Sequence, residues 1–215
     1  MDHGARILNL SLGGPTSSSI EKRAVDYAVA KGALLVAAVG NGYLRGNEVE
    51  YPAALLQPVG SKGVGGRGLA VAASNRNGAR ASFSSTGSHV SLAAPGVGVF
   101  SAVSSASSLS SYPRTQLPGA LAGLYGYGSG TSFAAPQVAG AAALVWAAHP
   151  QLRAAQVASI LEQTASGRGG WNAELGYGVL DVAAAVANAQ TASVATVAAA
   201  PAGRMAPPAA GSSPS

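Results

Sequence analysis

The sequence predicts a three-layer α/β domain, in which a mostly parallel sheet carries helices on both of its faces. First, the stretches Arg6–Leu12 and Ala33–Val39 are apolar on both faces, which is typical of strands inside a covered parallel sheet. Second, a helical pattern over Ile20–Lys31 lies between them and completes a right-handed βαβ unit. Third, 48% hydrophobic and only 10% charged residues allow a core and exclude a highly charged, disordered chain.

Local signals place the first helix and the strands that follow it. Ser17–Ser19 can cap the helix over Ile20–Lys31, and Gly32 ends it. Further along the chain, runs of small and β-branched apolar residues predict three more strands, of which the last two are short. These strands cover Leu69–Ala73, Val90–Ala93 and Val97–Ala102.

The second half of the chain is predicted to be mainly helical. Ser101–Gly130 is rich in Ser, Gly and Pro and is predicted to be a surface excursion near the functional site. Ser132–Ala148 has Ala and Val on every side, which predicts a buried helix with Pro136 in its first turn. Two further helices are predicted over Ala154–Ala165 and Asp181–Ala189.

The composition changes near the C-terminal end of the sequence. Residues 1–190 form the predicted domain. Residues 191–215 are rich in Ala, Pro and Ser, and such a segment buries too little apolar surface to form a core. We therefore predict a disordered tail over residues 191–215.

Charge, cysteine content and hydropathy exclude several classes of function. The net charge is +5, but the basic residues are scattered and few aromatic residues accompany them, which argues against nucleic-acid binding. The chain has no cysteine, so disulfides, thiolate metal sites and a cysteine nucleophile are excluded. The apolar stretches Ala33–Val39 and Gly140–Ala148 are too short to span a bilayer, and Met1–Gly4 has no feature of a signal peptide. We therefore expect binding to neither nucleic acid nor membrane.

Two sequence motifs of other enzyme classes can be set aside. Gly63, Gly65 and Gly68 match the G-x-G-x-x-G pattern, but they precede a predicted strand, whereas a dinucleotide site needs the turn between a strand and a helix. We interpret the segment as a loop. The G-x-S-x-G pattern of the α/β-hydrolase nucleophile occurs nowhere in the chain.

The strongest chemical signal is the run Gly128–Pro136, which holds Ser132 at the start of the predicted buried helix. Glycines before Ser132 would let a substrate approach the backbone, and the free N–H groups at a helix N-terminus favour a developing oxyanion. The alternative is a core helix for which Ser or Thr is only the cap.

This run resembles the nucleophile motif of the subtilisin-like serine peptidases, and further blocks match that family in the same order. The resemblance covers roughly residues 4–190. It implies the subtilisin-like version of the fold and an endopeptidase that acts on polypeptides. The further blocks are Asn9–Gly14, Ala37–Asn41, Tyr51–Ala53, Ala81–Ser85, Ala93–Gly96 and Gly176–Gly178.

The resemblance also implies a role for each candidate site residue. Ser132 would be the nucleophile, and the Asn41 side chain and the Ser132 backbone N–H would hold the oxyanion. Without the other blocks, Asn41 would be interpreted as a turn residue before Gly42. The Tyr51–Pro52 bond would be cis. The segment that pairs with the substrate backbone would be Ser11, Leu12 and Gly13, and the S1 pocket would be lined by small residues that include Ala38, Val39 and Gly40.

The chain departs from the family in one respect, because it contains neither the D-[ST]-G nor the H-G-T-H motif that carries the catalytic Asp and His. We predict His3 in a helix end, His89 at the start of a strand and His149 at the end of the long helix. The side chains of Asp2 and His3 are adjacent in sequence and would point in different directions on a helix, which argues against their forming a substitute catalytic triad with Ser132. We therefore expect the C-terminal part of a catalytic domain, truncated at its N-terminus, to which another segment supplies Asp and His.

Two other functions remain open at this point. The chain could be a non-catalytic peptide-binding module or pseudoenzyme that uses the same substrate-binding segment, or a structural segment of an assembly. No metal ligands are predicted, although the family resemblance admits bound calcium, whose carbonyl ligands leave no sequence pattern. Secretion is expected from the family alone. Finally, the resemblance implies a neighbouring strand from the N-terminal part of the catalytic domain. Without that strand, Arg6–Leu12 would be an exposed edge of the sheet.

Overall fold

A parallel four-stranded sheet forms the centre of the computed structural model, which describes residues 1–104, 112–114, 124–167 and 169–192. The strands lie side by side in sequence order, so each crossover moves the chain one position across the sheet. The strands are β1 (Ile7–Leu10), β2 (Leu34–Ala38), β3 (Gly68–Ser74) and β4 (Leu92–Pro95).

In the described residues, five α-helices accompany the sheet, and a short antiparallel pair of strands lies apart from it. A 3₁₀ turn over Tyr43–Arg45 follows β2. The antiparallel pair consists of β5 (Val99–Ala102) and β6 (Tyr125–Gly128). The helices are α1 (Ser19–Ala30), α2 (Ala53–Leu56), α3 (Thr131–Ala148), α4 (Ala154–Thr164) and α5 (Val182–Thr191).

Alternating residues of each strand pack against different helices, which gives the three predicted layers. In β2, the side chains of Leu34 and Val36 belong to the core cluster that α3, α4 and α5 cover. The side chains of Leu35 and Ala37 belong to the opposite cluster, which α1 and α2 cover. Successive side chains of a strand point to opposite faces, so a strand that is apolar throughout needs helices on both sides. The predicted fold class is confirmed.

The start and end of α1 follow the predicted local signals. The Ser18 hydroxyl accepts a hydrogen bond of 3.0 Å from the Glu21 backbone N–H, as an N-cap does. Gly32 has φ +78°, a left-handed conformation that glycine adopts without steric cost, and it turns the chain into β2. The glycines Gly63 and Gly65 lie in the loop before β3, so the loop interpretation of the G-x-G-x-x-G segment is confirmed.

The structure differs from the prediction at several places. The strand expected over Val97–Ala102 pairs with β6 and not with the parallel sheet, and β6 itself lies within the stretch predicted as a surface excursion. Helix α2 was not predicted, because four residues are too few for a helical period to be visible. Residues 105–111 and 115–123 of that excursion, and residues 193–215 of the predicted tail, lie outside the described residues.

Strand β1 lies at the edge of the sheet. It pairs with β2 on one side, and within the described residues no strand pairs with its other side. Asn9 is exposed, and the Leu12 side chain just beyond the strand is 58% exposed. The exposed edge that we expected for Arg6–Leu12 is confirmed. None of the helices in the described part of the chain is long and apolar enough to cross a membrane.

Candidate active site

Three of the predicted site residues meet at the edge of the sheet where the parallel strands end. Ser11 follows β1, Asn41 lies three residues after β2, and Ser132 is the second residue of α3. Ligand sites of parallel α/β sheets commonly lie at the carboxyl ends of the strands. The topology thus brings together side chains that are up to 121 residues apart in the sequence.

Ser132 and Ser11 hold each other in place through two hydrogen bonds. The Ser11 hydroxyl donates to the Ser132 carbonyl oxygen at 2.8 Å, and the Ser132 hydroxyl donates to the Ser11 carbonyl oxygen at 3.3 Å. The first bond is available because Pro136, four residues later, has no N–H to donate to the Ser132 carbonyl. Helix α3 begins one residue before the predicted start, and Pro136 is its sixth residue, which lies in the second turn and not in the predicted first turn.

The Asn41 side chain is fixed by the first residue of α3. Its Oδ1 atom accepts hydrogen bonds from the Thr131 backbone N–H at 2.9 Å and from the Thr131 hydroxyl at 3.2 Å. An amide that accepts through its oxygen keeps both hydrogens of its nitrogen for donation. Asn41 is therefore more than a turn residue, because it joins the segment after β2 to the N-terminus of α3, whose second residue is Ser132.

The loop that carries Asn41 is held by the segment Ala81–Ser85. The Ser85 hydroxyl accepts from the Gly42 backbone N–H at 3.0 Å, and the Ser85 backbone N–H donates to the Gly40 carbonyl at 3.0 Å. Hydrogen bonds on both sides of Asn41 restrict the orientation of its amide. This arrangement gives a physical reason for the presence of that sequence block.

The residues predicted to contact substrate differ in exposure. Leu12 and Gly13 are exposed, as a segment that pairs with a substrate must be. The backbone of the next residue, Gly14, exchanges hydrogen bonds of 3.1 and 2.8 Å with Tyr51, and the Tyr51–Pro52 bond is cis, as predicted. The predicted lining residues Ala38, Val39 and Gly40 are all buried.

Glu50 lies between the two predicted substrate-contacting segments, and the sequence prediction missed it. A Cβ built on Gly13 would lie 2.6 Å from a Glu50 carboxylate oxygen, and a Cβ on Gly40 would overlap the same carboxyl group. Partial burial raises the pKa of this carboxyl, whereas Arg45 and the Asn41 backbone oppose the rise. The only sequence signal is an acidic residue immediately before Tyr51.

Gly40 is expected to tolerate no side chain. Gly40→Ala should lower the free energy of unfolding by roughly 1–3 kcal/mol, because φ is +104° there and the new methyl group would meet Glu50. Urea unfolding measures the change. Gly140→Ala is the matched control, because Gly140 lies in α3 with open space around it, and alanine should stabilise the helix by about 0.5–1 kcal/mol. Equal effects of the two substitutions would contradict this account of Gly40.

All three histidines of the chain lie at the other end of the sheet from Ser132. His3 lies in a turn before β1, which corrects the predicted helix end, and the buried His89 precedes β4. His149 caps the far end of α3, about 27 Å along a helix of 18 residues, where the Pro150 carbonyl accepts from Arg6. Ser132 therefore has no imidazole beside it in this chain.

The three aspartates of the chain are not catalytic candidates either, since each of them binds a structural partner. The Asp2 carboxylate accepts from the Tyr27 hydroxyl at 2.6 Å, and the Asp181 carboxylate caps α5. Asp26 pairs with Arg67. Within the described residues, no group of three or more His, Cys, Asp or Glu side chains is placed to hold a metal ion.

Comparison with known proteins identifies relatives of most of the chain. The chain is 40% identical to subtilisin E of Bacillus subtilis over 181 residues, which are 83% of this chain and 40% of that protein. It is 38% identical to subtilisin DY of Bacillus licheniformis over 185 residues, which are 85% of this chain and 57% of that protein. The chain thus spans only about half the length, or less, of these relatives.

Solved structures of related proteins also match most of this chain. Fervidolysin from Fervidobacterium pennivorans superimposes with a TM-score of 0.70 at 34% identity, over 86% of this chain and 27% of that chain. A protease from Pseudoalteromonas arctica gives a TM-score of 0.67 at 34% identity, over 86% of this chain and 51% of that chain. The model of the subtilase family of peptidases matches residues 1–178. The chain therefore belongs to the subtilase family.

Proposed function

We propose that this chain carries the nucleophile and the oxyanion hole of a subtilisin-like serine endopeptidase, which hydrolyses polypeptides through an acyl-enzyme on Ser132. The observation that supports this proposal best is the joint placement of Ser132 and Asn41. The Asn41 oxygen accepts from the first N–H of α3, the helix whose second residue is Ser132, and the amide nitrogen keeps its hydrogens for donation.

The proposed reaction begins with attack of the Ser132 Oγ on the substrate carbonyl carbon. A base takes the hydroxyl proton, and the negative charge that develops on the carbonyl oxygen is stabilised by the Asn41 amide and the Ser132 backbone N–H. The C–N bond then breaks as the base gives its proton to the leaving amine, and water later hydrolyses the ester. The positive end of the α3 dipole favours the same negative charge.

The substrate would bind as an added strand along Ser11–Gly13. The exposure of Leu12 and Gly13 supports this proposal. Backbone hydrogen bonds to an extended peptide give affinity without requiring a particular side chain. The S1 pocket would lie between this segment and the end of β2.

The base of the proposed reaction has to come from outside these 215 residues. The three histidines of the chain lie at the other end of the sheet, and the edge of β1 that pairs with no strand among the described residues could receive a further strand. We propose that a polypeptide segment that supplies Asp and His docks there, as the departure from the family motifs suggests. The same departure supports the second candidate, a module that binds extended peptides without cleaving them.

The 215-residue chain by itself is expected to be a very poor peptidase. Without a base, the Ser132 hydroxyl is a weak nucleophile at neutral pH, and binding and oxyanion stabilisation alone retain about 10³–10⁴ over the uncatalysed rate in subtilisin, the reference case. Casein hydrolysis by the purified chain should be undetectable. Hydrolysis that disappears in Ser132→Ala would show that the 215 residues contain a base.

A further inference from the structure

The side chain of Glu50 occupies a position from which it can contact a bound substrate. Its carboxylate lies against Gly13, which follows the exposed Leu12, and against Gly40, which lies just beyond β2. These are the two sides of the proposed S1 pocket. Both neighbours are glycines, so no side chain separates the carboxylate from the space between the two segments.

The backbone around Glu50 fixes this position. Tyr51 pairs with Gly14 through two hydrogen bonds of 2.8 and 3.1 Å, which ties the Glu50 segment to the continuation of β1. This pairing fixes the backbone next to Glu50 beside the segment that contains Gly13.

The Glu50 carboxylate is partly buried, which raises its pKa, and both the charge of Arg45 and the Asn41 backbone N–H act to lower the pKa against this effect of burial. In the part of the chain that the structure describes, no basic side chain forms a salt bridge with Glu50. Arg45 and Glu48 line the same open cavity of about 240 Å³ and are exposed. Arg45 therefore attracts the carboxylate without forming a salt bridge, which leaves Glu50 without an ion-pair partner among the described residues.

We propose that Glu50 selects a basic residue on the acyl side of the scissile bond, so that the preferred substrates are polypeptides cleaved after Lys or Arg. This inference rests on the proposed function, because it assigns the specificity of the same site. Glu50 contacts the substrate side chain in this proposal and takes no part in the chemical step.

The physical reason is the cost of leaving a partly desolvated carboxylate without an ion-pair partner when a substrate side chain covers it. A substrate ammonium or guanidinium group would form a charge-assisted hydrogen bond with it, which is stronger than a bond between neutral groups. An aliphatic side chain would remove water from the carboxylate and give no hydrogen bond in return. A glutamate side chain would add like-charge repulsion. The expected order of affinity is therefore basic, then aliphatic, then acidic.

The test is a binding measurement on the full 215-residue chain, so it needs no catalytic base. Three peptides, acetyl-Ala-Ala-Ala-X-amide with X as Lys, Leu or Glu, are titrated at low salt and binding is followed by NMR chemical shifts. The Lys peptide should bind about tenfold more tightly than the Leu peptide, the factor expected for one charged hydrogen bond. Glu50→Gln should remove this difference.

Two further variants separate specificity from folding. Glu50→Lys should reverse the order and favour the Glu peptide, a result that a damaged or unfolded site would not give. Glu48→Gln is the matched control, because it removes the same charge from the same cavity without touching Gly13 or Gly40. It should keep the preference for Lys. Circular dichroism melting verifies that each variant is folded.

The outcomes distinguish this inference from the proposed function on which it rests. Equal binding of the Lys and Leu peptides, or a Lys preference that survives in Glu50→Gln, would overturn the role of Glu50 and leave peptide binding intact. If none of the three peptides binds, peptide binding by this chain fails, and the role of Glu50 fails with it. A Lys preference that Glu50→Gln removes and Glu50→Lys reverses supports the proposal.

Discussion

Ser132→Ala is expected to lower kcat by about 10⁶ once a catalytic base is supplied. The base can be provided by joining the N-terminal region of subtilisin E, a relative that is 40% identical, to Met1 of this chain. The expected loss has the size known for the nucleophile of subtilisin itself, where removing the nucleophile lowers kcat about as much as removing the whole catalytic triad. Hydrolysis of a chromogenic peptide measures it.

Two controls make this experiment specific for the proposed site. Ser129→Ala removes a hydroxyl three residues away, which accepts from the Gly98 backbone N–H at 3.0 Å, and should leave kcat within about twofold. Asn41→Asp keeps the oxygen that accepts from Thr131 but loses the amide donor. It should lower kcat by about 10²–10³ with little change in KM, the size found for the oxyanion donor of subtilisin. An unchanged kcat in either Ser132→Ala or Asn41→Asp would contradict the proposed roles.

The stability of the chain is expected to fall as the pH rises from about 5 to 8, because of Glu162. This side chain in α4 is only 7% exposed, and burial raises the pKa of its carboxyl to about 8, although a hydrogen bond with Ser91 opposes the rise. In the unfolded chain the carboxyl loses its proton near its ordinary pKa of 4.5. Between these values the folded state holds a proton that the unfolded state has released, so increasing pH favours unfolding.

Glu162→Gln should remove most of this pH dependence, because the amide is neutral at every pH. At pH 8.5 the variant should be more stable than the parent chain by roughly 4 kcal/mol, and at pH 5 the difference should nearly vanish. Urea unfolding at the two pH values measures both. Glu48→Gln, at an exposed position, should leave the slope unchanged. A parent chain that becomes more stable between pH 5 and 8 would contradict the buried, protonated state of Glu162.

The parallel sheet could be predicted from sequence because its signals are local and repeated. Ala33–Val39 is apolar without interruption, and only a strand covered on both faces buries such a run. Gly32 and Ser18 mark helix ends by backbone and side-chain chemistry that acts within a few residues. The order of the strands then follows from short crossovers, each of which moves one position across the sheet.

The parts that sequence analysis missed depend on contacts between distant segments. The position of Pro136 matters because it frees a carbonyl for Ser11, a residue 121 positions from Ser132. Strands β5 and β6 are both short and pair with each other, and the sequence between them has no periodicity. Glu50 is one of two acidic residues in its loop, beside Glu48, and only the folded backbone places its carboxylate between two glycines. Neither composition nor periodicity encodes such a placement.

The most direct test of the account is to identify the serine that reacts when the base is present. The hybrid with the N-terminal region of subtilisin E is treated with phenylmethanesulfonyl fluoride, which sulfonylates activated serine hydroxyls, and its peptides are analysed by mass spectrometry. The account predicts one adduct, on Ser132, formed in step with the loss of activity, and no adduct in Ser132→Ala. Inactivation with the adduct on another serine, or activity that survives full modification of Ser132, would contradict it.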